Sequence, residues 1–123
     1  MPTRLGLALL LAAGLTSPAS AQGTGQFDGQ YVGELTLTRI IKGDCTTPPL
    51  GAEYPLTIAG GRVLFKYVPR FDTTLTGSVD AKGNFKATAQ LHHGVATMTG
   101  HIDGIHATAT IVSPSCKYAF ETK

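Results

Sequence analysis

Apolar and polar residues alternate along most of the chain from Phe27 onward. In the stretch QYVGELTLTR, Tyr31, Gly33, Leu35 and Leu37 occupy every second position, with mostly polar residues between them. This period of two is typical of β-strands that bury one face, whereas an amphipathic helix repeats every 3.6 residues. No stretch has a persuasive helical period, so the pattern predicts an all-β protein.

Turn signals divide this alternation into about eight segments. The stretch EYPLTIAGGRVLFKYV predicts a hairpin at Gly60 and Gly61, because a two-residue Gly-Gly connection suits the primed turns that match strand twist. Two later stretches, TGSVDAKGNFKATA and TGHIDGIHATA, share the frame Thr-Gly-x-aliphatic-Asp followed by Gly and Ala-Thr-Ala. We expect both to be hairpins, the first turning between Asp80 and Asn84 with Gly83 in a left-handed conformation.

Eight strands joined by short links predict an antiparallel meander whose first and last strands can pair with each other. The expected fold is a small closed barrel or a two-sheet sandwich, since closure removes exposed strand edges. Inward Gly and Ala residues, among them Gly77 and Gly100, indicate strongly bent strands around a narrow interior.

The first residues have the features of an export signal. MPTRLGLALLLAAGLTSPASAQ contains an early Arg4, an apolar run and the small-residue sequence Ala-Ser-Ala. We predict a signal peptide over residues 1–21, cut before Gln22, and a single domain over residues 22–123. The apolar run is about half the roughly 20 residues that a membrane-spanning helix needs. The expected product has no integral membrane segment and resides in the bacterial periplasm or outside the cell.

Charge and cysteine content narrow the function classes. Ten Lys and Arg against eight Asp and Glu give a formal net charge of +2, which removal of Arg4 lowers to +1. So small a charge gives no reason to expect nucleic acid as a partner.

Cys45 follows the first predicted strand and Cys116 begins the last one, so closure brings them to the same end of the barrel. In an oxidising compartment such a pair predicts a disulfide.

His101 and His106 flank a predicted two-residue turn at Asp103 and Gly104. That register places Ile102 opposite Ile105 on the inner face and the two histidines opposite each other on the outer face, close enough to share a metal ion. Two ligands are fewer than the three of a catalytic zinc site or the four of a structural one. A solvated strand face without a metal is the competing interpretation. If the histidine pair does bind a metal ion, Cu(II) or Ni(II) is the ion it favours.

The predicted connections are longest at the end of the barrel that carries the cysteines, here called the lower end. Functional residues often lie on loops that a rigid scaffold holds in place. His92 and His93 belong to this end and are roughly 26 Å of strand away from His101, so the four histidines cannot form one site. The candidate binding residues of the lower end are Asp44, Glu53, Arg70, Asp72, His92 and His93. Polar residues also populate loops without any function, and Lys42, Thr46 and Thr47 are alternative members of a protein-binding surface.

No nucleophile elbow, HExxH sequence, EF-hand spacing or Gly-rich phosphate loop occurs, so we expect no enzyme activity and no cofactor. The preferred hypothesis is an exported, monomeric binding or structural module that takes a protein or a small ligand through its lower-end loops. The alternatives are a periplasmic metal-binding protein that uses its histidines, and an inhibitor of a secreted or periplasmic hydrolase.

The signal peptide, the FDGQYVGELTLT opening, the cysteine after it and the TGHIDG hairpin together resemble the small exported β-rich proteins of Gram-negative bacteria. This resemblance covers the mature chain. It implies an exported β-fold and assigns no functional residue.

Overall fold

The computed structural model describes residues 25–67 and 73–123. Within these ranges the chain forms eight antiparallel strands that close into one barrel in sequence order. The strands are β1 (Gly29–Ile40), β2 (Tyr54–Ala59), β3 (Arg62–Tyr67), β4 (Thr73–Val79), β5 (Asn84–Leu91), β6 (Gly94–Asp103), β7 (His106–Val112) and β8 (Cys116–Thr122). The predicted meander is confirmed, and of the two predicted architectures the chain adopts the closed barrel. The predicted signal peptide lies outside the described residues.

Strand β1 closes the barrel because it is long enough to pair with two neighbours at different heights. Its first part, Gly29 to Gly33, pairs with β2, and its remainder, Gly33 to Ile40, pairs with β8. A register shift between Leu37 and Arg39 marks a β-bulge, which bends the strand where it turns around the barrel. None of the described residues belongs to a helix long and apolar enough to cross a membrane.

The barrel interior is a filled hydrophobic core. The predicted inward residues Leu56, Ile58, Val63 and Phe65 are all buried. The rings of Phe65 on β3 and Phe120 on β8 meet edge to face, with their centroids 5.2 Å apart. Because the two strands lie on different sides of the barrel, this contact crosses the interior and helps to fill it.

Two of the predicted hairpins have the expected turn geometry. Gly60 and Gly61 have φ values of 60° and 80°, the two positive angles that a type I′ turn requires. Gly83 has a φ of 90°, and Asp80 Oδ1 accepts hydrogen bonds from the backbone N–H groups of Asn84 at 3.0 Å and Lys82 at 2.8 Å. These donors, Asn84 first, hold the pKa of the Asp80 carboxyl below its ordinary value, because they stabilise the charged form.

The third hairpin corrects the predicted register. Asp103 pairs with His106 and Ile102 with Ala107, so the turn residues are Gly104 and Ile105. Gly104 has a φ of 66° and no residue other than glycine has a positive φ in the described ranges, which fits a type II′ turn with glycine first. A type I′ turn at the predicted position, Asp103 and Gly104, would need a positive φ at Asp103 as well. Ile105, predicted to face inward, is 81% exposed in the turn.

Segments outside the strands pack against both ends of the barrel. At the upper end, which carries the Gly60–Gly61 turn, the Asp28 carboxylate accepts hydrogen bonds from the N–H groups of Gly60 at 2.9 Å and Gly61 at 3.3 Å. At the lower end, the hydroxyl of the buried Tyr118 donates to the backbone oxygen of Thr46 at 2.8 Å. The connection between β1 and β2 is therefore attached to the barrel interior.

Candidate functional site

A cleft of about 490 Å³ opens at the lower end of the barrel. It lies between the turn that joins β5 to β6 and the connection that joins β7 to β8, with the first residue of β4 at its border. Its lining residues are Thr73, Gln90, Leu91, His92, His93, Ser113, Pro114 and Ser115.

One wall of the cleft is the tight turn formed by His92 and His93. Leu91 pairs with Gly94, which leaves the two histidines as the only residues between the strands. Their rings lie nearly perpendicular, with an interplanar angle of 84° and centroids 5.1 Å apart. The Gln90 side-chain amide donates to the backbone oxygen of Gly94 at 3.2 Å and so bridges the base of the turn. This wall is therefore held by a strand pair and a side-chain hydrogen bond.

The opposite wall is the short segment from Ser113 to Ser115. The Ser113 hydroxyl accepts a hydrogen bond from the N–H of Cys116 at 3.0 Å and lies 3.2 Å from the Cys116 backbone oxygen, to which it can donate. The backbone oxygen of Ser115 accepts from the N–H groups of Ile41 at 2.7 Å and Lys42 at 3.2 Å. Hydrogen bonds on both sides therefore fix the conformation of this wall.

A glycine lets the two walls approach each other. Gly94 has a φ of 144°, and a Cβ atom at this position would lie 2.7 Å from Cγ of Pro114. Any larger residue would push Pro114 away and change the shape of the cleft.

The predicted disulfide is confirmed and lies beside the cleft. Cys45 and Cys116 are bonded with an S–S distance of 2.08 Å and a Cα–Cα distance of 5.8 Å. Since Cys116 directly follows Ser115, the bond joins the β7–β8 connection to the β1–β2 connection. The disulfide thus anchors one wall of the cleft covalently to a distant part of the chain.

The described lining side chains combine hydrogen-bonding groups with apolar ones. They supply an amide, two imidazoles and three hydroxyls, together with the apolar side chains of Leu91 and Pro114. No Asp, Glu, Lys or Arg is among the described lining residues. The described part of the lining can therefore donate and accept hydrogen bonds and contact an apolar surface.

The structure brings together some of the residues predicted for a lower-end site and separates others. His92 and His93 line the cleft, whereas Asp44 is an exposed residue of the β1–β2 connection outside its lining. Glu53 forms an ion pair with Lys123 at 3.2 Å, and Glu34 lies 3.4 Å from the same ammonium group. Glu53 and then Glu34 raise the pKa of Lys123 by stabilising its charged form.

Glu53 is therefore part of a surface ion-pair cluster and does not reach the cleft. Arg70 and Asp72 lie outside the described residues, and their place in a site stays a prediction.

The outer-face histidines do not form the predicted cross-strand pair. His101 pairs with Thr108 on β7 and with Asn84 on β5, and its Nδ1 atom lies 2.9 Å from Oδ1 of Asn84 in a hydrogen bond. His106 pairs with Asp103. The two-residue shift of the hairpin keeps both histidines on the outer face but no longer places them opposite each other. Residues 25–67 and 73–123 contain no group of three or more His, Cys, Asp or Glu arranged to hold a metal ion.

Thr73, Gln90, Ser113 and Ser115 were not predicted to be binding residues from the sequence. The strand order could have pointed to some of them, because it predicts that the connection containing Ser113 and the turn containing His92 and His93 lie at the same end of the barrel. The sequence has no feature that shows which residues of these connections face the same cleft.

The chain matches no family model, no curated protein and no solved structure. The class of protein is therefore defined by its own architecture, a closed eight-stranded antiparallel β-barrel with one disulfide and a cleft at one end.

Proposed function

We propose that this protein is an exported, non-catalytic binding module that holds its ligand in the lower-end cleft. The observation that carries the proposal is the cleft itself. Its volume of about 490 Å³ falls within the roughly 300–1,000 Å³ that is typical of small-molecule sites. Both walls are fixed by hydrogen bonds, and one is anchored by the disulfide, so little conformational freedom is lost when a ligand enters.

The bonding of the Ser113 hydroxyl supports binding in preference to catalysis. A serine nucleophile needs a base within hydrogen-bond reach of its proton. The Ser113 hydroxyl instead faces the backbone N–H and C=O of Cys116 at 3.0 and 3.2 Å. In this arrangement the hydrogen bonds of the Ser113 hydroxyl stabilise the conformation of the backbone from Ser113 to Cys116.

The disulfide supports an extracytoplasmic location. Disulfides persist in oxidising compartments such as the bacterial periplasm and are rare in the reducing cytosol. We propose that the mature chain begins at Gln22 and acts in the periplasm or outside the cell.

Removal of the cleft histidines is expected to weaken ligand binding without affecting the fold. A library of small soluble fragments, titrated into the ¹⁵N-labelled protein, should shift amide resonances at Gln90–Gly94 and Ser113–Ser115. His92→Ala and His93→Ala should each weaken the fragments that bind there by about tenfold, equivalent to about 1.4 kcal/mol. His106→Ala is the matched control, because His106 is an exposed histidine outside the cleft. Fragment shifts confined to other surfaces, or unchanged by the cleft variants, would refute the proposal.

The same variants test the metal-binding alternative. The observation in its favour is the 5.1 Å separation of the two imidazole rings in the cleft. Titration with Ni(II) or Cu(II) should give one-to-one binding that His92→Ala abolishes if the cleft is a metal site. Absence of stoichiometric binding would exclude this alternative and leave the small-ligand proposal in place.

A second candidate function, inhibition of a hydrolase, is favoured by the exposure of Leu50. Its side chain is fully exposed at the tip of the β1–β2 connection. The N–H of Ala52 donates to the oxygen of Pro49 at 3.1 Å and Gly51 has a φ of 83°, which defines a type II turn. A rigid turn that presents one apolar side chain suits docking into an apolar pocket. Proteases cleave segments that bind in an extended conformation, and a turn is not extended. We therefore expect the Leu50 turn to block an enzyme without being cleaved.

Leu50→Asp is expected to abolish any inhibition that the protein exerts. Turnover by a panel of purified lysozymes and serine proteases should slow in the presence of the wild type, and the variant should inhibit at least about tenfold less. Leu64→Asp serves as the control, since Leu64 is a half-exposed leucine on the outer face of β3. Unchanged turnover across the panel, or inhibition that persists in Leu50→Asp, would remove this candidate.

A further inference from the structure

We infer that the lower end of the barrel docks onto an anionic lipid membrane. The docking surface, here called the basic–apolar rim, consists of Arg39, Ile40, Ile41, Lys42, Val112 and Lys117. The inference goes beyond the proposed function and does not depend on which ligand the cleft holds. Three observations carry it: cations without carboxylate partners, exposed aliphatic side chains between those cations, and a backbone that holds both in place.

The cations of the rim face each other without a counter-charge. Arg39 on β1 pairs with Lys117 on β8, so two like charges lie directly opposite each other. Like charges in this position destabilise a strand pair. The ion pairs of the described residues both involve Lys123, and neither includes a cation of the rim. A phosphate group between Arg39 and Lys117 would attract both and remove the cost of their repulsion.

Nearby acids do not cancel this positive charge. Asp44 follows the rim along the chain, so three cations are set against one carboxylate. Residues 68–72 join β3 to β4 and add Arg70 and Asp72, one charge of each sign, and residues 1–24 contain no Asp or Glu. The rim therefore keeps a positive charge. A symmetric contact with a second copy would oppose these charges, whereas an anionic lipid surface attracts each of them.

Exposed aliphatic side chains lie among the cations. Ile40 and Ile41 are 56% and 47% exposed. In the chain they separate Arg39 from Lys42. Val112 on β7 is also exposed and pairs with the third cation of the rim. At a bilayer surface, aliphatic side chains enter the boundary between headgroups and acyl chains while Lys and Arg reach the phosphates. This combination favours a membrane over a soluble polyanion, which has no apolar layer.

The backbone of the rim is fixed by hydrogen bonds and by the disulfide. The N–H groups of Ile41 and Lys42 both donate to the backbone oxygen of Ser115, at 2.7 and 3.2 Å. The Cys45–Cys116 bond joins the same two segments of chain close to this contact. Little conformational freedom of the backbone is therefore lost when the rim docks.

The test measures how the purified protein partitions onto sedimented vesicles. Vesicles of equal parts phosphatidylglycerol and phosphatidylcholine should bind it at least about tenfold more strongly than vesicles of phosphatidylcholine alone. The variant Arg39→Gln/Lys42→Gln/Lys117→Gln should lower the partition coefficient on the anionic vesicles at least about tenfold. Ile40→Ser/Ile41→Ser should lower it by a similar factor, at least about tenfold, because the buried apolar area is lost.

Two control variants match these changes in type. Arg62→Gln/Lys82→Gln/Lys86→Gln removes one Arg and two Lys that are exposed elsewhere on the barrel and leaves the same net charge as the rim variant. Leu64→Ser removes an aliphatic side chain that is 48% exposed on the outer face of β3. Both controls should partition like the wild type. The amide spectrum of each variant reports whether the barrel is intact.

The outcomes that would overturn the inference are distinct from those that test the cleft. Absence of vesicle binding, equal binding to neutral and anionic vesicles, or equal losses in the control variants would each refute membrane docking. Heparin serves as a soluble polyanion. If heparin binds through the three cations and Ile40→Ser/Ile41→Ser still binds anionic vesicles like the wild type, the rim is a polyanion site and membrane docking is refuted. The cleft proposal is tested without membranes and stands or falls separately.

Discussion

Removal of the Cys45–Cys116 disulfide is expected to lower the free energy of unfolding by about 4 kcal/mol. The bond joins residues separated by 71 positions, so in the loop-entropy model it lowers the conformational entropy of the unfolded chain by closing a long loop. Since small domains are stabilised by roughly 5–15 kcal/mol in total, the loss should be a major fraction of the stability. Urea unfolding of the Cys45→Ala/Cys116→Ala variant, followed by circular dichroism and compared with the wild type, measures it.

Reduced wild-type protein is the control for this experiment. Cys116 is buried, so its substitution also removes packing at the start of β8. If reduction of the wild type lowers the stability as much as the double substitution does, the loss comes from the crosslink. A loss below about 1 kcal/mol in both samples would show that the loop-entropy account does not apply to this barrel.

Gly77→Ala is expected to cost at least about 3 kcal/mol, at the upper end of the range for overpacked cores. Gly77 lies on β4 and pairs with Ala87 on β5. A Cβ atom at this position would lie 2.7 Å from Cα of Ala87 and would overlap the backbone oxygen of Lys86. Those atoms belong to a strand that is paired on both sides, so they cannot move away without breaking ladder hydrogen bonds. Thermal and urea unfolding measure the loss, and a variant that yields only unfolded protein by circular dichroism agrees with it.

Gly104→Ala is the matched glycine substitution. At Gly104 the φ of 66° disfavours alanine, but no other atom lies within 4 Å of the added Cβ. We expect a cost of about 1–2 kcal/mol, from the left-handed backbone alone. If Gly77→Ala costs no more than Gly104→Ala, close approach of the strands is not the reason that β4 carries a glycine.

The inward-facing core residues followed from the local alternation of apolar and polar residues, and the structure confirms them. Alternation assigns each strand residue to one of two faces, and this assignment survives a two-residue shift in register. That is why Ala107 and Ile111 are buried as predicted, although β7 is displaced by two residues relative to the predicted pairing. The even number of strands brought Cys45 and Cys116 to the same end.

The lower-end site was predictable only in part. The grouping of His92 and His93 with the β7–β8 connection follows from strand order, because both segments link strands at the same end. Strand order does not predict that Glu53 lies away from the other lower-end candidate residues. After the β1–β2 connection, β2 begins opposite Gly33, well up the length of β1, so Glu53 lies beside Glu34 and Lys123.

The sequence by itself determined the strand faces, the order of the strands, the small inward residues and the cysteine pair, because each depends on local periodicity or on the direction of the chain. The tertiary structure alone decided the hairpin register, the choice of barrel over sandwich and the shape of the cleft. Register depends on which turn residue can take a positive φ, and Gly104 takes it without Asp103. The cleft depends on how closely two connections approach, and the contact between Gly94 and Pro114 sets that distance.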